Sequence, residues 1–419
     1  MQLFNTKDRR SFLRKSLVGG ISYLCIPSTF GQLSGQLGYT ISHTIPTRLF
    51  DGTKCWVHPR AGIVPNLGHG SFPRVVMTMN TLDLEGSDVF KGMFGLYSND
   101  MGEHWTNVEK IDNLAPRFEV FDGEERPIAA SDFWPKYHKK TKSLLGIGHT
   151  VVYTKDWKVT MPRPRHTSYS IYNSNKGGWS KWSKLDMPNV EKFFNSGAGC
   201  AQRFDLPDGD ILLPVSLYPK GRNSHITVLK CSFDGNTLAY KDQGNQLGID
   251  NSTRGLHEAS ITYFDGRYYM TIRNDKLGFV STSMDGMNFT PIQPWKFDDG
   301  SELGSYNTQQ HWVTHSDGLF LVYTRRGANN DHVFRHRAPL FMARVDPEKL
   351  CVLRETERVL VPEKGARLGN FGVVDVSPDE TWVTVSEWMQ PEGVEKYGSD
   401  GSVWIARIHW DRKNHLFTF

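Results

Sequence analysis

Apolar and polar residues alternate along most of this chain with a period of two, in short runs closed by Gly, Pro, Asn or Asp. No stretch after residue 30 carries an amphipathic helical stripe. Alternation of this kind places successive side chains on opposite faces of a strand, so the pattern predicts an all-β protein. One unit recurs every 50–60 residues or so, a period typical of propeller blades: an apolar strand, an Asp-Gly or similar turn, and a second apolar strand. Clear copies occupy 199–218, 258–274, 308–326 and 372–388. A looser copy occupies 132–149, and the first is spread from Trp56 to Asn80. Six inner hairpins predict a six-bladed β-propeller of four-stranded antiparallel blades, with room for a seventh blade in the long first or second repeat. Residues 39–49 are expected to supply the outermost strand of the last blade and close the ring, making 38–419 a single domain.

Polar turns follow several hairpins. Ser98-Asn99-Asp100-Met101-Gly102-Glu103-His104-Trp105 fits S-x-D-x-G-x-x-W, 283–289 is a shortened relative and 231–238 a degenerate one. Asp and Ser can bond the turn amides, Gly can take a positive φ, and the aromatic can plug the blade. These turns resemble the Asp-boxes of sialidases and related propellers, which mark the fold and lie far from the chemistry.

Charge changes the picture little: a formal net charge of +4 on 419 residues gives no case for a nucleic-acid partner. Arg9-Arg10 and Phe12-Leu13, followed by a short apolar stretch from Leu17 to Ile26, resemble a twin-arginine export signal. A signal over 1–30 and a periplasmic, monomeric protein are therefore expected. Outside that segment Cys55, Cys200, Cys231 and Cys351 show no metal-like spacing. No H-E-x-x-H pattern occurs and no later apolar run could span a bilayer, so neither a metal, a cofactor nor a membrane span is expected.

In a propeller the starts of first strands and the ends of second strands share one face, where ligands bind. Aligning the repeats on their turns puts Asn80, His149, Ser216, Arg273, Arg325 and Glu387 in one column at the second-strand ends. First-strand starts add His58, Arg60, Gln202, His257, Glu258, Gln309, Gln310 and His311. Loops add Arg163, Arg165, His166, Tyr218 and the segment 323–337. A mouth rich in Arg and His but poor in carboxylates favours an anionic ligand gripped by guanidinium forks.

Arg60 in HPRAG resembles the first-blade arginine of sialidases. Glu258, followed by Ala-Ser, FDGRYY and Arg273, is similar to their glutamate-then-arginine blade, and Arg325 or Arg326 would complete an arginine triad. The sialidase aspartate and tyrosine nucleophile have no assigned counterpart, and His257 stands beside Glu258. The chain also resembles sialidase-like propellers acting on rhamnose–uronate polysaccharides: ulvan-type lyases, a dehydratase of ulvan oligosaccharides, and an α-L-rhamnosidase branch. That resemblance implies catalytic roles for His149, Tyr218, His257 and Arg203, with His58 as the rhamnosidase-like alternative. Substrate binding would then fall to His58, Arg60, Glu258, Arg273, Gln310, Arg325 and Arg326. Hydrolysis usually needs two carboxyl groups flanking the bond. Elimination from a uronic acid needs a neutralised carboxylate, a base for the C5 proton and an acid for the oxygen leaving C4, tasks that suit Arg, His and Tyr. The expected activity is therefore a carbon–oxygen lyase or dehydratase acting on an anionic polysaccharide or its oligosaccharides. The alternatives are an exo-acting glycosidase and a glycan-binding propeller without catalysis.

Overall fold

Each recurring hairpin forms two antiparallel strands, and further strands extend it outward into one blade of a ring. The computed structural model describes residues 37–417 apart from 87, 122, 162–163, 175–176 and 251, so the expected export signal and Arg163 lie outside the described residues. Six antiparallel sheets make a six-bladed β-propeller. Innermost strands are Lys54–Val64 in blade 1, Glu124–His138 in blade 2, His257–Phe264 in blade 4, His311–His315 in blade 5 and Gly372–Ser377 in blade 6. In blade 3 the innermost position is split between Ser196–Gly197 and Phe204–Asp205, both paired with Ile211–Leu217. The spare length of the second repeat is an added strand, not a seventh blade: Arg117–Phe121 pairs with the start of Glu124–His138.

Ring closure comes from the N-terminal strand. Tyr39–Arg48 lies antiparallel to Ser402–Trp410, from Tyr39 opposite Trp410 to Arg48 opposite Ser402, as the outermost strand of blade 6. The first and last parts of the fold are thus tied by a ladder of backbone bonds, and that edge strand is paired. No helix among the described residues is long and apolar enough to cross a membrane.

The polar turns lie between third and fourth strands. Ser98 Oγ donates to Asp100 Oδ1 at 2.9 Å and accepts from Gly102 N at 2.8 Å, while Asp100 Oδ1 accepts from His104 N at 2.9 Å. Gly102 has φ +84°, and a Cβ there would meet the Trp382 ring at 2.9 Å, so only glycine fits. Asp285 repeats the pattern, accepting from Asn288 N at 2.7 Å. These aspartates shape the periphery.

Alternate residues of each strand fill the layers between blades, and the axis itself is filled. Trp134 meets His311 edge-on at 4.7 Å, and His311 meets Phe371 at 4.8 Å. Gln202 of blade 3 reaches blade 5, donating to Trp312 O at 2.9 Å and accepting from Trp312 N at 2.8 Å. This plug gives a floor to the cavity above it. Cys55, Cys200, Cys231 and Cys351 are buried free thiols.

Candidate active site

The innermost strands carry a repeated irregularity just where they open onto one face. Register breaks fall between Val57 and Arg60, Ser131 and Trp134, and His257 and Ser260. Inside these bulges His58, Asp132 and Glu258 adopt left-handed φ values of +57°, +51° and +45°; Cys200, in the turn between the two halves of the split strand of blade 3, has +60°. A non-glycine residue held there costs about 1–3 kcal/mol, and a bulge re-aims the side chain it carries. All four line one central cavity of about 1200 Å³.

Asp132 is the hub of the floor. Its Oδ1 lies 3.3 Å from both His58 Nε2 and Arg60 Nη1 and accepts from Cys200 Sγ at 2.9 Å, while its Oδ2 lies 3.3 Å from His149 Nε2. Burial works against the charge of Asp132, but His58, His149 and Arg60 outweigh it and hold the carboxyl well below the usual range. Burial and then Asp132 push the Cys200 thiol well up, so it is a neutral donor and not a nucleophile. His149 fits against Gly199, where a Cβ would come within 2.3 Å of the ring Nδ1.

A second pair stands on the blade 3 side. Tyr218 OH is 3.2 Å from His257 Nδ1, with the rings stacked at 5.6 Å, and Ser224 Oγ is 3.0 Å from the same nitrogen. Arg165 lies over the Tyr218 ring at 4.1 Å. Burial, then the Arg273 charge, pushes His257 down to about 3, so the imidazole is neutral around pH 7.

Glu258 accepts from Arg273 Nη1 through both oxygens, at 2.6 and 2.5 Å. Arg273 Nη2 donates to Asn307 Oδ1 at 2.8 Å, and Arg337 Nη2 donates to Asn307 O. Burial raises the cost of the Glu258 charge, but Arg273 holds that carboxyl below its ordinary value. Arg337 and Arg367 are respectively 3% and 6% exposed. Burial and then Arg273 push Arg337 well down; burial and then Arg335 push Arg367 down to about 10. The Nε atoms of Arg273, Arg337 and Arg367 are buried with no hydrogen-bond partner. Crowded, under-satisfied guanidinium groups in a cavity are what an anion relieves.

The structure brings His58, His149, Tyr218, His257, Glu258, Arg273 and Arg165 to this cavity. Ser216 of the column and Arg335 and Arg337 of the loop segment 323–337 line it too, whereas several other expected positions lie elsewhere. Arg60 is fully buried beneath Asp132. Arg203 braces blade 3 on blade 2, donating to Leu145 O and Lys136 O at 2.8 and 2.9 Å and to Asp205 at 2.9 Å. Gln310 is buried in bonds to Thr271, Ser305 and Thr308. Arg325 turns outward to Glu357, at 2.9 and 2.7 Å, because the second strand of blade 5 ends at Tyr323 and the loop diverges there. Arg326 pairs with Glu302 at 3.0 Å. In the column, Asn80 bonds Gly92 O, and Glu387 accepts from Asp400 N and Trp404 Nε1 inside blade 6.

The sequence reading passed over Asp132, Cys200, Arg367 and the cavity-lining Asn370, whose Nδ2 lies 2.7 Å from His58 Nε2, and named Arg337 only as the end of a loop. Asp132 heads its hairpin copy as Glu258 heads its own, and setting 58–60, 132–134 and 258–260 side by side would have exposed it. Arg367 and Asn370 carry no such register mark.

No family model matches this chain, and no curated protein sequence matches it. Solved structures do. A Dyadobacter fermentans protein described as of unknown function aligns at 13% identity with a TM-score of 0.58, over 90% of this chain and 99% of its own. A Hadza microbial sialidase aligns at 11% identity and TM-score 0.56, over 87% of this chain and 66% of its own. Trypanosoma rangeli sialidase in complex with sialic acid aligns at 13% identity and TM-score 0.54, over 89% of this chain and 59% of its own. The chain therefore spans less than two thirds of either sialidase, and what it is similar to is the sialidase type of six-bladed propeller.

Proposed function

We propose that this protein is a carbon–oxygen lyase that acts by β-elimination on a uronic acid residue of an anionic glycan. The observation that carries the reading is the pairing of under-satisfied arginines with carboxylates that are already spoken for. A hydrolytic acid must be protonated near neutral pH, usually through a raised pKa. Asp132 and Glu258, the carboxyls of the floor, are both held below their ordinary values by the groups that bind them.

In this reading the uronate carboxylate rests on Arg273 and Arg337, which spread the negative charge that grows as C5 loses its proton. His149 is the base: Asp132 fixes its Nε2, and Nδ1, which makes no hydrogen bond among the described residues, takes the proton. The electron pair left on C5 forms the C4–C5 double bond as the C4–O bond breaks. Tyr218 OH delivers its proton to the departing oxygen, oriented by His257. Departure of a sugar makes the enzyme a lyase, and departure of water from a free terminal 4-OH makes it a dehydratase.

The fold likeness to sialidases, together with Glu258 on the floor, favours a second reading as an exo-acting glycoside hydrolase. Incubation with uronate-containing oligosaccharides separates the two. Elimination gives an ultraviolet-absorbing unsaturated uronate, hydrolysis a saturated sugar one water heavier, and a binding module no product.

A further inference from the structure

The cavity holds more guanidinium groups than one carboxylate engages. A carboxylate has two oxygens and is satisfied by one or two arginine forks. Arg273 and Arg337 already form such a pair, organised by their shared partner Asn307. Arg335 and Arg367 are organised elsewhere: their Cζ atoms lie 5.0 and 5.2 Å from the Phe334 ring, and Arg367 also covers Trp388 at 4.2 Å. Arg335 makes no hydrogen bond or ion pair among the described residues. Arg367 donates to Gln390 Oε1 at 3.1 Å, while its Nε is buried without a partner. Consecutive left-handed residues, Arg335 at φ +60° and His336 at φ +51°, hold the loop that presents Arg335 to the cavity. Strain of this kind persists where the surroundings impose it, and it gathers at ligand clamps. Burial and then the Arg335 charge lower Arg367, and the opposing Asp88 charge does not cancel them. At about 1200 Å³ the cavity also exceeds the ~300–1,000 Å³ usual for one small ligand.

We propose that Arg335 and Arg367 form a second anion subsite, distinct from the Arg273–Arg337 carboxylate clamp, which selects glycans bearing a further sulfate ester or carboxylate next to the uronate. This rests on the uronate reading above. The aromatic faces of Phe334 and Trp388 hold the two guanidinium planes, and the ligand oxygens complete their empty donors.

Calorimetric titration tests it with three probes: a uronate-terminated disaccharide, the same disaccharide carrying one sulfate ester on its second sugar, and the same carrying a second carboxylate there. The full-length protein should bind a doubly anionic probe ~10–100-fold more tightly than the singly anionic one, the value of a charge-assisted contact. Which doubly anionic probe is preferred identifies the group. In Arg335→Gln/Arg367→Gln that preference should vanish while the singly anionic probe keeps its affinity within about 3-fold. Should the double variant fold poorly by circular dichroism, the single Arg335→Gln change on the exposed loop makes the same comparison. Equal wild-type affinity for all three probes overturns the second subsite and leaves the uronate reading standing. Failure to bind any of them overturns the uronate reading itself, and the subsite with it.

Discussion

Asp132 Oδ2 lies 3.3 Å from His149 Nε2, while its other oxygen faces His58 and Arg60 at the same distance. One carboxylate thus orients the proposed base and neutralises a guanidinium that is 0% exposed. The two duties can be separated by substitution. Asp132→Asn keeps much of the shape but lets the amide favour the wrong imidazole tautomer, so turnover should fall about 100-fold or more while substrate affinity changes far less. Asp132→Ala should in addition destabilise the fold by ~3–5 kcal/mol in denaturant titrations, because it leaves a buried charge uncompensated. Undiminished turnover in Asp132→Asn would remove the dyad from the mechanism.

Arg337 and Arg325 make a controlled contrast. Arg337→Gln removes a donor from the crowded cavity and should weaken binding of a uronate ligand by ~1.5–3 kcal/mol. Arg325→Gln breaks an ion pair with Glu357 away from the cavity, so binding should persist while stability drops. Titration calorimetry paired with thermal melts reads both. The reverse pattern would restore Arg325 to the site and displace Arg337.

The ring was more legible in the sequence than the site was. Strand alternation and turn chemistry are local properties, so blade number, the peripheral Asp100 and Asp285, and the closing strand Tyr39–Arg48 followed from them. Which side chain enters the cavity depends instead on bulges and loop paths. Arg273 keeps its register and reaches the cavity, whereas Arg325 lies beyond the end of its strand and turns to Glu357. Arg337 replaces it only because a loop of a dozen residues, bent at Arg335 and His336, returns to the axis. Nothing local marks that return.

His257 should make the protein acid-sensitive. Its folded pKa is pushed from the ordinary histidine range down to about 3, so between about pH 6.5 and 3 the unfolded chain binds a proton that the folded one excludes. Stability is therefore present at and above pH 6.5 and is lost as the pH falls, with a slope approaching ~1.4 kcal/mol per pH unit for this one proton. His311, lowered chiefly by burial, acts in the same direction. Denaturant midpoints of wild type and His257→Asn across this window should converge at the acid end, whereas parallel curves would show His257 to be solvated.

Gly199→Ala tests positioning without touching a titrating group. The new Cβ would come within 2.3 Å of His149 Nδ1, so the imidazole must shift. A displacement of about 1 Å can cost ~100-fold in rate. Turnover should drop to that degree with the melting temperature little changed, and full activity would mean that His149 is not the base.

The central claim is removal of the C5 proton, and the fate of that hydrogen tests it most directly. A uronate oligosaccharide deuterated at C5 is incubated with the protein and the product weighed. Elimination predicts complete loss of the deuterium to solvent, a slower reaction than with the protiated substrate, and an absorbing unsaturated product. Retention of deuterium in a saturated, hydrolysed sugar would contradict the account.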